Sequence, residues 1–189
     1  LRATVSLQNP KLWSPEFPEL YLLKCSIVIA GKEKDVRTID EYDLTYGLRE
    51  FTVRDGDFRL NGNRIVLKGV VWQEDHPTWG SAMTYEDLER DVVLMKNLGA
   101  NTVRFGSHPP HPYMLSLCDR YGLLALQEIP LADAPASALV HEEYLEMATT
   151  AMREMIVRDR NHPSMIAWGI GDQFESFNPA VRPFVEALV

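Results

Sequence analysis

A chain of 189 residues, 46% of them hydrophobic, has enough apolar mass for one sizeable core, or for one core and a small partner. Its formal net charge of −8 and pI near 5.1 argue against duplex nucleic acid or an anionic membrane as partner, because both need clustered Lys and Arg. No apolar run approaches the roughly 20 residues that span a bilayer. The start, Leu1-Arg2-Ala3-Thr4, has neither an initiator Met nor the regions of a signal peptide, so the chain is expected to begin inside a longer protein. The two cysteines, Cys25 in an expected strand and Cys118 in an expected helix, form no disulfide framework or zinc pattern, and both are expected to be buried thiols.

From Leu1 to Tyr46 the pattern is β-like. Ala3–Leu7 and Leu22–Ile29 are strand-length runs rich in β-branched residues, separated by the turn-dense Asn9-Pro10, Ser14-Pro15 and Phe17-Pro18. Two or three further short strands are expected, ending near Arg37 to Leu44. An immunoglobulin-type sandwich needs about seven strands, so residues 1–46 read as the last part of such a domain.

After Tyr46 strands alternate with helices, the signature of βαβ units around a parallel sheet. A hairpin comes first, with Asp55-Gly56 and Asn61-Gly62 as turns. Ile65–Val71 is a near-continuous apolar run, as expected of a barrel strand covered on both faces. Thr84 and Asp87 form a capping-box pattern; Tyr85, Leu88, Val92, Met95 and Leu98 recur at helical spacing until Gly99. Ala100–Phe105 is the second strand. Tyr113, Met114, Leu117, Cys118 and Tyr121 trace a second helix stopped by Gly122, and Leu123–Gln127 is the third strand. A third helical stripe runs from Tyr144 to Ile156, Pro163 forbids its continuation, and Met165–Ile170 is the fourth strand. Pro179–Leu188 opens a further helix. Four βα units are half of an eight-unit barrel, which typically needs about 250 residues. The fold class is therefore α/β with a β-sandwich portion: a partial immunoglobulin-like sandwich (1–46), then the first half of a (β/α)8 TIM barrel (47–189).

Active sites of parallel barrels gather at the carboxyl ends of the strands. Those positions hold Trp72, Gln73, Glu74, Asp75 and His76 after the first strand, and Arg104, Ser107, His108 and His111 after the second. Glu128 follows the third, and Asp172, Gln173 and Glu175 the fourth. Aromatic faces, an Arg and several carboxylates suit a sugar ring, whose C–H faces stack on indole and whose hydroxyls need donors and acceptors. The alternatives are ordinary polar loops, a structural Arg104–Glu128 pair across adjacent strand ends, and a turn-stabilising role for His108 and His111 beside Pro109, Pro110 and Pro112. The Trp, Tyr and Phe residues are expected to be mostly core, with Trp72, Trp79 and Trp168 as candidate exceptions. His76, His108 and His111 could converge with Glu74 and Asp75, yet no pair has metalloprotease or zinc-finger spacing, so no metal and no cofactor is expected.

NHPSMIAWGIGDQFE, from Asn161 to Glu175, resembles the acid/base strand of glycoside hydrolase family two, the β-galactosidase, β-glucuronidase and β-mannosidase group. NPKLWSPEFPELY (9–21), FRLNGNRIVLKGV (58–70) and NTVRFGSHPPHPYMLSLCDRYGLLALQEIP (101–130) are similar to further blocks of that family, in the same order. The resemblance implies a retaining glycosidase, substrate contacts for Arg104 and His108, and places near the bound sugar for Glu74, Asp75 and Glu128; Trp72 and Asp172 join the substrate-binding candidates by their positions after the first and fourth strands.

It also implies that position 173 holds the general acid/base. Here Asp172 and Gln173 replace the family's Asn and Glu, and Gln73 stands where many members have His. Gln173 has no proton to give; Glu175, two residues on, is the candidate substitute. Family resemblance places the nucleophile beyond Val189, so the isolated chain is expected to be inactive. The alternative is a carbohydrate-binding or structural relative that has lost hydrolysis. The open edges of a half barrel predict self-association.

Overall fold

The structure, a computed structural model, describes residues 4–30 and 36–189. Strands β1 (Tyr21–Ala30) and β2 (Val36–Tyr46) form an antiparallel two-stranded ribbon. The expected two or three short strands before Tyr46 are thus one long strand, which keeps register with β1 apart from a shift at Ile27/Val28. The described part of the expected first strand, 4–7, is not a strand; extended backbone needs a neighbour for its ladder. Leu23, Ile27, Ile29, Ile39 and Tyr42 are all exposed on the ribbon. Cys25 is exposed for the same reason and corrects the expectation that both thiols are buried; Cys118 is buried.

Strands β3 (Phe51–Arg54), β4 (Asp57–Leu60) and β5 (Asn63–Arg64) make a small antiparallel meander. Both turn pairs adopt positive φ, 54° and 80° at Asp55-Gly56 and 52° and 79° at Asn61-Gly62. That is the type I′ geometry whose twist matches the strands it joins.

Four parallel strands follow in sequential order: β6 (Gly69–Trp72), β7 (Thr102–Phe105), β8 (Leu124–Glu128) and β9 (Met165–Gly169). Between them lie α1 (Tyr85–Asn97), α2 (Pro112–Tyr121), a short α3 (Ala136–Leu139) and α4 (Glu142–Asp159), with α5 (Arg182–Leu188) after β9. The cap of α1 is reciprocal: Thr84 Oγ1 accepts from the Asp87 amide and Asp87 Oδ2 from the Thr84 amide, each at 3.2 Å. Helix α2 begins at His111, whose Nδ1 accepts from the Tyr113 amide at 3.2 Å, and ends at Gly122 in the left-handed conformation, φ 73°.

Period-two alternation sorts the sheet's side chains. Trp72, Val103, Phe105 and Ala125 turn outward and bury themselves with Leu88, Val92 and Met95 of α1 and Met114, Leu117 and Cys118 of α2. Truncating a buried Leu such as Leu117 to Ala is expected to cost about 2–5 kcal/mol. Val71, Arg104 and Leu126 pair in register and share the opposite, inner face. Val71 is 60% exposed there, so β6 is covered on one face only; it also begins at Gly69 rather than Ile65. A second core, including Ile129, Leu131, Leu139, Met152, Met155 and Phe184, lies under α4 and α5.

The segment before β1 is anchored at the amino end of this sheet. Trp13 is fully buried and its indole N–H donates to the Asp119 carbonyl at 2.8 Å. The Asp119 carboxylate meets His162 Nδ1 at 2.6 Å and accepts from the Ser164 amide at 3.1 Å. Arg49 donates to the Pro163 carbonyl at 3.0 Å and also to that of Met165. Three separate sequence blocks therefore converge on one buried aspartate.

Candidate functional site

Arg104 is carried on the inner face of β7 because Val103 and Phe105, on either side, are locked into the outer core. Its Nη2 donates to Glu128 Oε2 at 2.8 Å and to Asp172 Oδ1 at 3.0 Å. Its pKa is raised above the ordinary arginine value, first by the hydrogen bond to Glu128 and then by that to Asp172. Glu128 ends β8 and is 3% exposed. Its other oxygen accepts from the Ser107 amide at 2.6 Å. Ser107 is itself in the left-handed region, φ 66°, a conformation that costs a non-glycine residue about 1–3 kcal/mol. Both oxygens of a buried carboxylate are thus satisfied, as burial of that charge demands.

Two glycines make room for this arrangement. A Cβ on Gly169 would stand 2.8 Å from that of Glu128, the residue paired with it across β8 and β9. Gly171 has φ 139°, and a Cβ there would meet the Leu131 carbonyl at 2.5 Å. The close approach lets the Asp172 amide donate to Leu131 O at 2.8 Å and Asp172 O accept from the Asp133 amide at 3.2 Å. Asp172 is therefore held by its backbone before its carboxylate meets Arg104.

The remaining sequence candidates make no hydrogen bond to this cluster. Gln173, φ 50°, is exposed. Glu175 is exposed and accepts from Asn178 Nδ2 at 3.0 Å. Glu74 is half-buried and Asp75 exposed on the loop after β6. That loop starts against the site: Gln73 Nε2 lies 3.4 Å from where a Cβ on Gly106 would be. His108 is exposed, with Nδ1 3.1 Å from the Pro109 carbonyl.

Trp72 corrects the expectation of a substrate contact. It is 9% exposed, its indole donates to Asp91 Oδ2 at 2.9 Å, and it packs edge-on to Phe105 at 5.7 Å. Alternation puts Val71, not Trp72, on the site's face. Trp168 likewise packs against both outer cores.

Sequence reasoning missed the Ser107 amide and the two glycines; the only trace of them was glycine flanking the end of a strand. Among the described residues no group of three or more His, Cys, Asp or Glu side chains is placed to hold a metal ion. A cleft of about 470 Å³ beside Leu12, Phe17, Leu60 and Ile65 includes none of these site residues. What the cluster offers chemically is a fixed guanidinium between two carboxylates on an open face, with hydrogen-bonding capacity suited to hydroxyl groups.

Residues 51–180 match Glycosyl hydrolases family 2, TIM barrel domain, and residues 2–49 match Glycosyl hydrolases family 2. A β-galactosidase of Photobacterium profundum is 33% identical over 178 residues, 90% of this chain and 16% of that protein. Beta-galactosidase 2 of Enterobacter cloacae is 34% identical over 177 residues, 92% and 17% of the two chains. Among solved structures, apo β-glucuronidase 3 of Bacteroides uniformis superposes with a TM-score of 0.82 at 33% identity, covering 97% of this chain and 23% of that one. A β-galacturonidase from Eisenbergiella tayi, bound to galacturonate, gives 0.82 at 30% identity over 94% and 30%. The chain thus spans less than a third of each of these relatives. With two family matches that together run from residue 2 to residue 180, the chain belongs to glycosyl hydrolase family 2, as a partial sandwich and a partial TIM barrel.

Proposed function

We propose that this chain supplies one side of the sugar site of a retaining β-glycosidase, with position 173 as its acid/base position. The observation that carries the reading is the Arg104–Glu128–Asp172 network at the carboxyl ends of adjacent parallel strands, with Gln173 the next residue along. Arg104, Glu128 and Asp172 hold sugar hydroxyls, and Glu74, Asp75 and His108 complete the rim. Retaining hydrolysis needs two carboxyl groups about 5–5.5 Å apart; the nucleophile comes from a segment outside residues 1–189. Residues 1–46 and 47–189 act as separate domains of that longer protein.

The acid/base step is where this chain departs from its family. An amide can donate an N–H to the glycosidic oxygen but cannot transfer a proton, and general acid catalysis is worth about 10² to 10⁴ in rate. Glycosides whose leaving groups need no proton escape that loss. In the complete protein, hydrolysis of nitrophenyl β-glycosides with little or none of alkyl β-glycosides is the expected result. Equal rates on both would refute the role of position 173.

A second reading, a carbohydrate-binding relative without hydrolysis, is favoured by Gln173 itself and by Glu175, whose carboxylate is engaged by Asn178. Sugar binding without turnover of any aryl glycoside distinguishes it. The isolated chain also self-associates through the free edges of β6 and β9 and the exposed Val66 and Val71. Light scattering that finds a monomer at high concentration would refute that.

A further inference from the structure

Of the four tryptophans, Trp13 is buried and Trp72 and Trp168 pack in the outer cores. Trp79 alone stands in solvent, 56% exposed. It nevertheless has an aromatic neighbour. Its ring lies parallel to that of His76, 5.8 Å between centroids and 9° between planes. His76 is fixed in turn: Nδ1 accepts from the Thr78 amide at 3.1 Å, and its backbone exchanges two hydrogen bonds of 2.9 Å with Gly80. Nε2 faces Asp87 Oδ1 at 3.9 Å, which ties the loop to the first turn of α1.

An exposed indole forgoes the stabilisation that burial would bring. Here a two-residue bridge and an aromatic stack orient that ring without covering it. Such an arrangement lowers the ordering cost of binding, because the flat surface is already in place before a ligand arrives. The same loop begins at Gln73 against Gly106, one residue from the Ser107 amide that holds Glu128. It leaves the sheet at the carboxyl end of β6, next to β7 and Arg104. The exposed Asp75 adds a hydroxyl acceptor on that loop. A flat, exposed aromatic face suits the C–H face of a pyranose ring, and carboxylates suit its hydroxyls.

We propose that Trp79, propped on His76, is a stacking subsite for a second sugar ring of a β-linked oligosaccharide, beyond the ring held at Arg104, Glu128 and Asp172. The assignment rests on the sugar-site reading given above. It makes His76 a positioning residue, whose ring lies parallel to the indole and offset from it while more than half of the indole residue stays exposed.

The test is calorimetric titration of the complete protein with lactose, cellobiose and cellobiouronic acid, each beside the monosaccharide of its non-reducing end. At least one disaccharide is expected to bind about tenfold tighter than its monosaccharide. Trp79→Ala erases that advantage and leaves the monosaccharide affinity within about twofold; Trp79→Phe keeps most of it, and His76→Ala loses part. A disaccharide advantage that survives Trp79→Ala overturns the subsite, as does a wild type that binds a monosaccharide and shows no advantage for any disaccharide. In both cases the sugar-site reading stands. Binding of no sugar at all by the wild type overturns both.

Discussion

Arg104 and Glu128 face each other across the ends of β7 and β8, joined by a 2.8 Å hydrogen bond in which the carboxylate is 4% exposed and the guanidinium 41%. The exposures are unequal, and so are the consequences of removing each partner. Arg104→Ala leaves a buried carboxylate with the Ser107 amide as its remaining donor among the described residues, an arrangement expected to cost about 3 kcal/mol in unfolding free energy. Glu128→Gln removes the charge with its burial cost and is expected to cost less, about 1 kcal/mol. Denaturant titration of both variants checks the order, and an Arg104→Ala protein as stable as Glu128→Gln would contradict it. Sugar affinity should fall in both.

Asp119 joins three blocks of the chain through His162, the Ser164 amide and, by its carbonyl, the Trp13 indole. Asp119→Ala keeps the carbonyl and deletes the carboxylate, leaving His162 and a buried amide unpaired. A loss of about 2–4 kcal/mol is expected. Faster proteolysis near Trp13 in the variant would show that the amino-terminal segment loosens with it.

Asp87 titrates below the ordinary carboxylate value of 3.8, chiefly because the Thr84 hydroxyl and amide donate to it, with Arg90 adding to the effect. Its contribution is therefore complete above the unfolded-state value and is lost as pH falls through the lower folded-state value. His76 and Arg90 are the basic groups that face it. The thermal midpoint of the wild type should exceed that of Asp87→Ala near neutral pH, and the gap should close on acidification below about pH 4. A gap that widens in acid would reverse the sign.

Gln173→Glu replaces an amide by a group able to transfer a proton. In the complete protein this is expected to raise turnover of alkyl β-glycosides by about 10² to 10⁴, with a much smaller gain on nitrophenyl glycosides. The pH profile should acquire a basic limb from the new acid. Glu175→Ala should leave the Gln173→Glu rate unchanged, because Glu175 is turned to Asn178. Loss of the gain in that double variant would assign the proton to Glu175 instead.

The elements were legible where local chemistry decides them. Thr84 with Asp87, Gly99, Gly122 and Pro163 marked helix ends through caps and breakers, and two Gly turns marked the β3–β5 meander. The short α3 went unseen, since four residues carry no periodic stripe. Trp72 was misassigned because a strand with apolar residues in succession does not reveal which parity faces the helices. Only the packing of Val103 and Phe105 against α1 and α2 showed it.

By itself the sequence determined the family, the alternation of strands with helices after Tyr46, and the strand ends at which polar residues collect. These follow from short-range periodicity, from capping and from blocks of residues in a fixed order. The tertiary structure alone decided that Arg104, Glu128 and Asp172 form one network while Trp72 belongs to the core and Trp79 to the solvent. Residues 24 and 68 positions apart in the chain, as Glu128 and Asp172 are from Arg104, meet only through sheet register and through glycines that leave no side chain in the way. Neither condition is written in any local stretch of the chain.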